Sequence, residues 1–392
     1  MKNLETLIQE LCPDGVEFVK IGEVAKVGTG SSNRQDAVDN GKYPFYVRSK
    51  NILASDTYEF DDESIIIPGE GGIGEIFHYV KGKYALHQRV YRINFYDERI
   101  NVKFVYYYMY SCFKRFIMKK AVSATVTSIR KPMIEKFEIP LPPIEVQTEI
   151  VRILDKFTSL EAELEAELDC RKRQYEYYRD KLLSFENVGG QEVEWKKMSE
   201  VGTFIRGKRF VRTDIVEEGI PCIHYGDIYT YYGLTATKAK TYLKPEKAEK
   251  MKFASKNDVV IVGAGENNMD IGVGVAWLSD EKVAIHDACY IFKSKMNPRF
   301  VSHYLRGSNY HLQIKKYVCE GKICSISSKS IGRSLIPVPS LQEQERIATI
   351  LDRFESLTTS LQSGLPAEIA ARRQQYEHYR DKLLTFKRKG AV

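Results

Sequence analysis

The chain has 392 residues, 43% of them hydrophobic, enough to bury two ordinary cores, and its net charge of +7 is compatible with a polyanionic partner. Seven cysteines (Cys12, Cys112, Cys170, Cys222, Cys289, Cys319, Cys324) form no CxxC pair and are odd in number, which points to a reduced, cytoplasmic protein rather than a disulfide framework. No signal-peptide pattern opens the chain and no apolar run is long enough to span a bilayer, which argues against secreted and membrane classes.

In chain order, Leu4, Leu7, Ile8 and Leu11 predict a short amphipathic helix ended by Pro13-Asp14-Gly15. Strand-like runs follow at Ile65-Ile66-Ile67, Ile76–Val80 and Arg89–Ile93, then a helix over 101–118 with Phe104, Tyr107 and Tyr108 on its core side. Ile139-Pro140-Leu141-Pro142-Pro143 leads into a rod of about 40 residues, roughly 60 Å at about 1.5 Å each. Pro143 stands where that helix should begin, since a missing N–H costs nothing there. Ile150, Leu154, Phe157, Leu160, Leu164 and Leu168, then Tyr175, Tyr178, Leu182 and Phe185, form one narrow apolar stripe. Such a stripe suits a helix paired with a single partner.

The chain then repeats itself. Ile336-Pro337-Val338-Pro339-Ser340 leads into a second rod with Gln344, Ile347, Ile350-Leu351-Asp352 and Phe354, matching Gln147, Ile150, Ile153-Leu154-Asp155 and Phe157 at an offset of 197. Tyr376–Phe386 matches Tyr175–Phe185 at an offset of 201, so four residues, about one helical turn, are gained between the anchors. Ser340 and Glu343 have capping-box spacing. Gly364 and Pro366 predict a kink or break in this second helix. Residues 188–335 repeat the plan of 1–138 more loosely. Val16-Glu17-Phe18 answers to Val193-Glu194-Trp195, Tyr43-Pro44-Phe45 to Ile220-Pro221-Cys222, Ala85-Leu86-His87 to Ala284-Ile285-His286, and Lys103-Phe104-Val105 to Arg299-Phe300-Val301. Polar residues between the anchors differ, as between Tyr46–Lys50 and Ile223–Asp227. The expected fold is α+β: two mixed α/β recognition domains (1–140 and 188–337) separated by two long antiparallel helices (141–187 and 338–392, the latter with a basic tail), with an internal pseudo-two-fold repeat.

Several motifs carry a family likeness: Ile139–Pro143 with Gln147, Ile336–Pro339 with Gln344, and the preceding Ala124-Thr125-Val126-Thr127-Ser128-Ile129 and Gly321-Lys322-Ile323-Cys324-Ser325-Ile326. Over essentially its whole length the chain resembles the DNA-specificity subunit of type I restriction–modification systems. It departs from the family pattern at Ser340, at Lys322 and at Ala124. The resemblance implies that each globular half reads one short half-site of double-stranded DNA and that the helices set a nonspecific spacer between them. It implies that the helices dock two methyltransferase subunits, with Gln147, Tyr178, Arg179, Gln344, Tyr379 and Arg380 as candidate contacts. It implies no catalysis and no cofactor in this chain, which would be cytoplasmic and prokaryotic. S-adenosylmethionine, Mg and ATP would belong to the methyltransferase and restriction partners.

Base edges are read by side chains, whereas phosphate contacts only position the protein. The loops with suitable groups are Ser32-Asn33-Arg34 and Arg48 with Lys50-Asn51 in the first half, and Arg206 with Lys208-Arg209, and His224-Tyr225 with Asp227, in the second. Lys119, Lys120, Arg130, Lys131 and Lys329 are the candidate phosphate contacts, and Lys322 in the second-half motif is a further candidate DNA contact. Any one of these side chains read alone is an ordinary solvated charge. Between the rod anchors the first helix carries the tetrads Glu161–Leu164 and Glu165–Leu168, and the second carries three, each worth about 6 Å of helix.

Other signals carry less. Gly69–Gly74 fits GxGxxG, but a nucleotide loop needs a helix next, and a strand and turn are expected; with Gly263, Gly265, Gly272 and Gly274 in the second half, the run reads as a flexible loop between strands, at DNA. Asn297-Pro298-Arg299-Phe300 lacks the second proline of an adenine-methyltransferase motif. His87 and His286, at matching places, read as structural histidines, and the stripe at Phe104–Tyr108 reads as core. Asp61-Asp62-Glu63 has no metal-ligand spacing. The competing functional readings are a stand-alone DNA methyltransferase or nuclease, which the missing catalytic motifs oppose, and a coiled-coil adaptor without a DNA role.

Overall fold

In a computed structural model the described residues are 4–120, 128–185, 193–359 and 364–390, without the side chain of Lys120. The Ala124–Thr127 part of the first-half motif lies outside them. The chain divides into two compact units, Met1–Glu163 with Ala370–Val392, and Leu164–Ile369.

The first unit opens with α1 (Leu4–Leu11), which Cys12 and the turn at Gly15 end. Strand β1 (Glu17–Lys20) leads through α2 (Ile21–Val24) into β2 (Ala25–Thr29). There follow β3 (Tyr43–Tyr46), β4 (Leu53–Ser55), β5 (Phe60–Pro68), β6 (His78–Leu86), β7 (Val90–Phe95), α3 (Val102–Lys120), α4 (Lys131–Glu135), β8 (Glu138–Leu141) and α5 (Ile144–Ser184). The main sheet has the order β2-β7-β5-β6-β3-β4, and β1 pairs separately with β8. The alternation Ile65, Ile67 and Ile93 faces α3 through Phe104 and Phe113. Ile150 and Leu154 of α5, with Leu384 of the last helix, close the same core. Each such side chain, fully buried, contributes roughly 1.5–3 kcal/mol. The strand–loop–strand expected around Gly69–Gly74 is present as β5, loop and β6.

The second unit is built on the same plan. Strand Trp195–Lys197 pairs with Leu335–Pro337, as β1 does with β8. The sheets have the orders 202–206, 289–294, 259–262, 274–277, 235–236 and 215–216, 241–243, 220–223, 283–285, 253–254. Where β6 runs unbroken through nine residues, its counterpart is split into Gly274–Trp277 and Val283–Ile285, so one sheet becomes two. One parallel pair is kept in both units: Phe45 opposite Ala85 and Tyr46 opposite Leu86, Cys222 opposite Ala284 and Ile223 opposite Ile285. The anchors matched in the sequence are therefore hydrogen-bonded neighbours. Helix Pro298–Tyr304 begins at Asn297, whose side chain caps it, and buries Phe300 with Ile347, Leu351 and Leu183.

Helix α5 has no Gly or Pro in 41 residues and is laced by Glu167–Arg171 and Asp169–Arg173 ion pairs, with the acid N-terminal to the base. It begins at Ile144, so Pro143 stands at the cap, and it ends where Phe185 takes a left-handed φ of 52°. The second rod is two helices, Leu341–Thr359 and Leu365–Leu383, with Ser340 Oγ accepting the Glu343 N–H at 3.2 Å. Pro366 falls in the first turn of the later helix, where proline is tolerated. Antiparallel pairing appears inside each unit. Phe157 meets Tyr379 and Tyr376, and Glu161 meets Arg373, in the first; Tyr178 meets Phe354 in the second.

Candidate nucleic-acid interface

In the first unit the loops after β2, β3 and β5 gather at one place, the turn that follows β6. Gly30, after β2, lies so close to that turn that a Cβ would stand 1.9 Å from the Leu86 carbonyl oxygen. Only a residue without a side chain lets the loop pass there. Ser32 N–H then donates to Leu86 O (3.2 Å), and Gln88 N–H donates to Ser32 O (2.9 Å). His87 N–H donates to Tyr46 O at 3.0 Å, and Gly69 N–H to Arg89 O at 3.0 Å. The His87 ring is buried, and its Nδ1 accepts the Arg89 N–H at 3.0 Å. Burial, then the nearby Arg48 and Arg89, hold its pKa below the ordinary histidine value, so it is neutral at pH 7.

The second unit makes the same gathering with other side chains. Gly207 presses on the same turn, its absent Cβ 2.1 Å from His286 O, and Lys208 N–H donates to Ile285 O at 2.9 Å. His286 N–H donates to Ile223 O at 3.2 Å, and its Nδ1 accepts the Ala288 N–H at 3.1 Å. Its ring lies 4.8 Å from Phe210 and 4.6 Å from His224. Burial and then the neighbouring His224 keep its pKa below the ordinary value. Both histidines thus have the structural role expected of them, and each is the pivot of the loops around it.

Around the first pivot, Arg34, Arg48, Ser49, Glu70 and Gly71 line a cleft of about 190 Å³. Arg48 and Arg89 both hold the Glu70 carboxylate, at 2.9 and 3.1 Å. Their hydrogen bonds, Arg89 first, draw Glu70 below the usual carboxylate range. Asn33 caps a turn at Arg34–Asp36 and accepts from Gln88 Nε2 at 2.5 Å. Lys50 and Asn51 are exposed nearby on the loop after β3. Around the second pivot, Lys208 and Arg209 are exposed, Arg206 donates to Asp287 O at 2.9 Å, and His224 caps the short helix Tyr225–Thr230. Lys119, Arg130, Lys131, Lys322 and Lys329 are exposed, with Lys131 paired to Glu135. Glu70, Gln88 and Arg89 were missed by sequence reasoning. Glu70 lies inside the glycine run expected to form a flexible loop between strands, and its carboxylate was not singled out there.

The structure corrects some assignments. Asp227 is buried, ion-paired to Lys240 (3.1 Å), and accepts from the His224 N–H at the start of its helix, so it faces inward. Gln147, 1% exposed, accepts the Asn101 N–H and donates to Arg99 O and Pro142 O at 2.7–2.8 Å. Gln344, 2% exposed, accepts the Asn297 N–H and donates to Pro339 O, both at 2.8 Å. These amides tie the start of α3 to the start of α5 and the start of helix Pro298–Tyr304 to the start of helix Leu341–Thr359, and both are buried. Arg179 is likewise buried beside Asp180. Tyr178, Tyr379 and Arg380 remain partly accessible. The Asp62 carboxylate is tied to Arg92 and Tyr84 within the sheet, a structural ion pair. Among the described residues no cluster of His, Cys, Asp and Glu could hold a metal ion, and no helix is long and apolar enough to cross a membrane.

Comparison with known proteins gives this arrangement its context. Residues 13–169 and 191–371 each match the type I restriction modification DNA specificity domain. The chain is 35% identical over 316 residues to the EcoR124I/EcoR124II type I restriction enzyme specificity subunit of Escherichia coli, covering 76% of this chain and 74% of that protein. It is 28% identical over 413 residues to a putative type I restriction enzyme specificity subunit of Haemophilus influenzae, covering 98% of this chain and all of the relative. Its fold is similar to a crystal structure of a type I restriction–modification S subunit from M. genitalium (TM-score 0.56, 16% identity, 94% of this chain and 96% of that one). It is also similar to a chain solved in work on complex assembly and conformational transition of the type I R-M system (TM-score 0.64, 14% identity, 95% and 98%). The chain belongs to the type I restriction–modification DNA specificity family, the DNA-recognition and non-catalytic component of those systems.

Proposed function

We propose that the two halves, 1–140 and 188–337, each read one short half-site of a bipartite DNA target. The helical segments 141–187 and 338–392 then set the nonspecific spacer and dock two methyltransferase subunits. The observation that carries this reading is the repeated gathering of loops around His87 and His286 with unlike side chains at each: Arg34, Arg48 and Glu70 at one, Lys208, Arg209 and His224 at the other. A shared backbone pivot with exchanged surface groups is what two readers of different sequences need. Arg and Lys suit guanine O6 and N7, and the exposed lysines at 119, 322 and 329 suit phosphates. In this reading the chain holds no cofactor. S-adenosylmethionine serves the methyltransferase partners, and Mg and ATP serve restriction subunits where these are present.

The test is a methylome. The chain is expressed with its methyltransferase subunit in an unmethylated host and N6-methyladenine is mapped. A single bipartite motif that disappears without this chain is expected. An assembled complex that leaves the DNA unmethylated, together with no salt-dependent DNA binding, would overturn the reading.

A further inference from the structure

The two units hold α3 and helix Pro298–Tyr304 by equivalent carboxylates but not by the same partner. In the first unit Asp155 accepts from Tyr107 Oη at 2.6 Å and from Lys103 Nζ at 2.8 Å. At the equivalent places of the second unit, Asp352 is bonded to His303 Nε2 at 2.8 Å and ion-paired with Arg299. A hydroxyl that does not titrate near neutrality has been exchanged for an imidazole that can. His303 also reaches further than Tyr107 does: its Nδ1 lies 3.1 Å from Tyr175 Oη on α5, and its side chain is 0% exposed.

The hydrogen-bond roles follow from Asp352. Burial pushes its pKa up, but His303 and Arg299 outweigh that and hold it below the ordinary value, so it is ionised and accepts only. Nε2 therefore carries the proton, and Nδ1 accepts from the Tyr175 hydroxyl. A neutral imidazole satisfies both contacts. A second proton, on Nδ1, would force the Tyr175 hydroxyl to turn and accept where it had donated, and would place a charge in a site closed to water. Burial lowers the His303 pKa against the opposing pull of Asp352 and Glu355 from helix Leu341–Thr359, and Arg306, in the turn after helix Pro298–Tyr304, adds to the lowering. Arg299, beyond Asp352, and Arg179, beside Tyr175, are the remaining charges around it. With the folded value below the unfolded one, the stability this contact contributes is fully present above the ordinary histidine pKa of about 6.5 and is lost as pH falls below it and through the lower folded value. Burial pushes the Tyr107 hydroxyl still further above its ordinary range, so it stays a donor throughout.

We propose that His303 is a positioning residue of the second recognition module alone: with Tyr175 and Asp352 it seats helix Pro298–Tyr304 against α5 and helix Leu341–Thr359, so that acidification weakens reading of the second half-site and spares the first. This rests on the two-half-site reading above.

The experiment uses the chain in complex with its methyltransferase subunits. Binding is measured at about pH 8 and about pH 5.5 to duplexes carrying the mapped target, or the target with one base pair changed in either half-site. The half-sites are assigned beforehand by Lys208→Ala, which should relax only the one read by the second unit. Discrimination at that half-site is expected to fall about tenfold on acidification, while the other changes by less than about twofold. His303→Gln, which can still donate to Asp352 but does not titrate, should flatten the profile. Parallel loss at both half-sites, or a wild-type profile in His303→Gln, would overturn the proposal. If His303→Gln does not fold, Tyr107→His provides the converse variant: it should confer acid sensitivity on the first half-site, and an unchanged profile there overturns the proposal. A target read normally at about pH 8 without this asymmetry sinks the inference alone; a complex with no bipartite target sinks the reading beneath it.

Discussion

Phe157 stacks on Tyr379 with ring centroids 5.6 Å apart and planes inclined at 24°, and their repeat mates, Phe354 and Tyr178, stack at 5.5 Å and 25°. The first pair lies wholly in one unit and the second wholly in the other. The same antiparallel contact is therefore made twice, by α5 with the end of the last helix and by α5 with helix Leu341–Thr359. Offset-stacked aromatic pairs are worth about 0.5–1.5 kcal/mol beyond their buried area. Phe157→Ala is expected to cost its unit about 1–3 kcal/mol. Calorimetric scans should show the loss as a lowered transition for that unit.

Gln147→Ala and Gln344→Ala should each behave as the loss of a buried polar tie. Asn101 N–H, with the Arg99 and Pro142 carbonyls, loses its partner in the first case, and Asn297 N–H with the Pro339 carbonyl in the second. Leaving such groups unpaired costs about 1–3 kcal/mol per site. Denaturant titration should register that loss. Co-purification with the methyltransferase subunit near room temperature should be unchanged, because neither side chain reaches the surface.

Gly30→Ala and Gly207→Ala should each damage one recognition surface. A Cβ at 1.9 Å or 2.1 Å from a carbonyl oxygen forces the loop off its pivot. The expected result is a loss of at least about tenfold in discrimination at one half-site, with the other unaffected, read by binding to singly substituted duplexes.

Glu70→Gln removes the carboxylate that holds Arg48 and Arg89. Both guanidinium groups then become available to DNA. Affinity should rise several-fold at low salt, and the slope of log affinity against log salt should steepen by about one. A variant with unchanged affinity and unchanged slope would place this cleft away from the DNA.

Deleting Glu165–Leu168 takes one tetrad, about 6 Å, out of the unbroken helix α5. At about 3.4 Å per base step this is under two base pairs. The methylation motif of the deletion variant should keep both half-sites and have a shorter spacer. A motif of unchanged spacer length would show that the tetrads are not the ruler.

Helix-forming stretches, caps and the repeat were legible because their signals are local. The apolar stripe of α5, the serine cap at Ser340, the break near Gly364 and the matched anchors at Phe45 and Ala85 all appear where short-range pattern puts them. Surface loops were legible as basic clusters, so Arg34, Arg48, Lys208 and Arg209 could be named as candidates, but not what each one touches. Gln147 and Gln344 were misread because their place in the repeat says only that they matter, not whether they point in or out.

The sequence by itself determined the doubling of one α/β plan, the helices between its anchors and the family to which the chain belongs, since periodicity and repetition are properties of neighbouring residues. Tertiary structure alone decided which groups meet. Asn101 finds Gln147, Arg89 finds Glu70, and His303 stands between Asp352 and Tyr175, partners 46, 19, 49 and 128 residues apart in the chain. The physical reason is that a hydrogen bond depends on distance and direction in space, and no local pattern specifies these for residues so far apart in the chain.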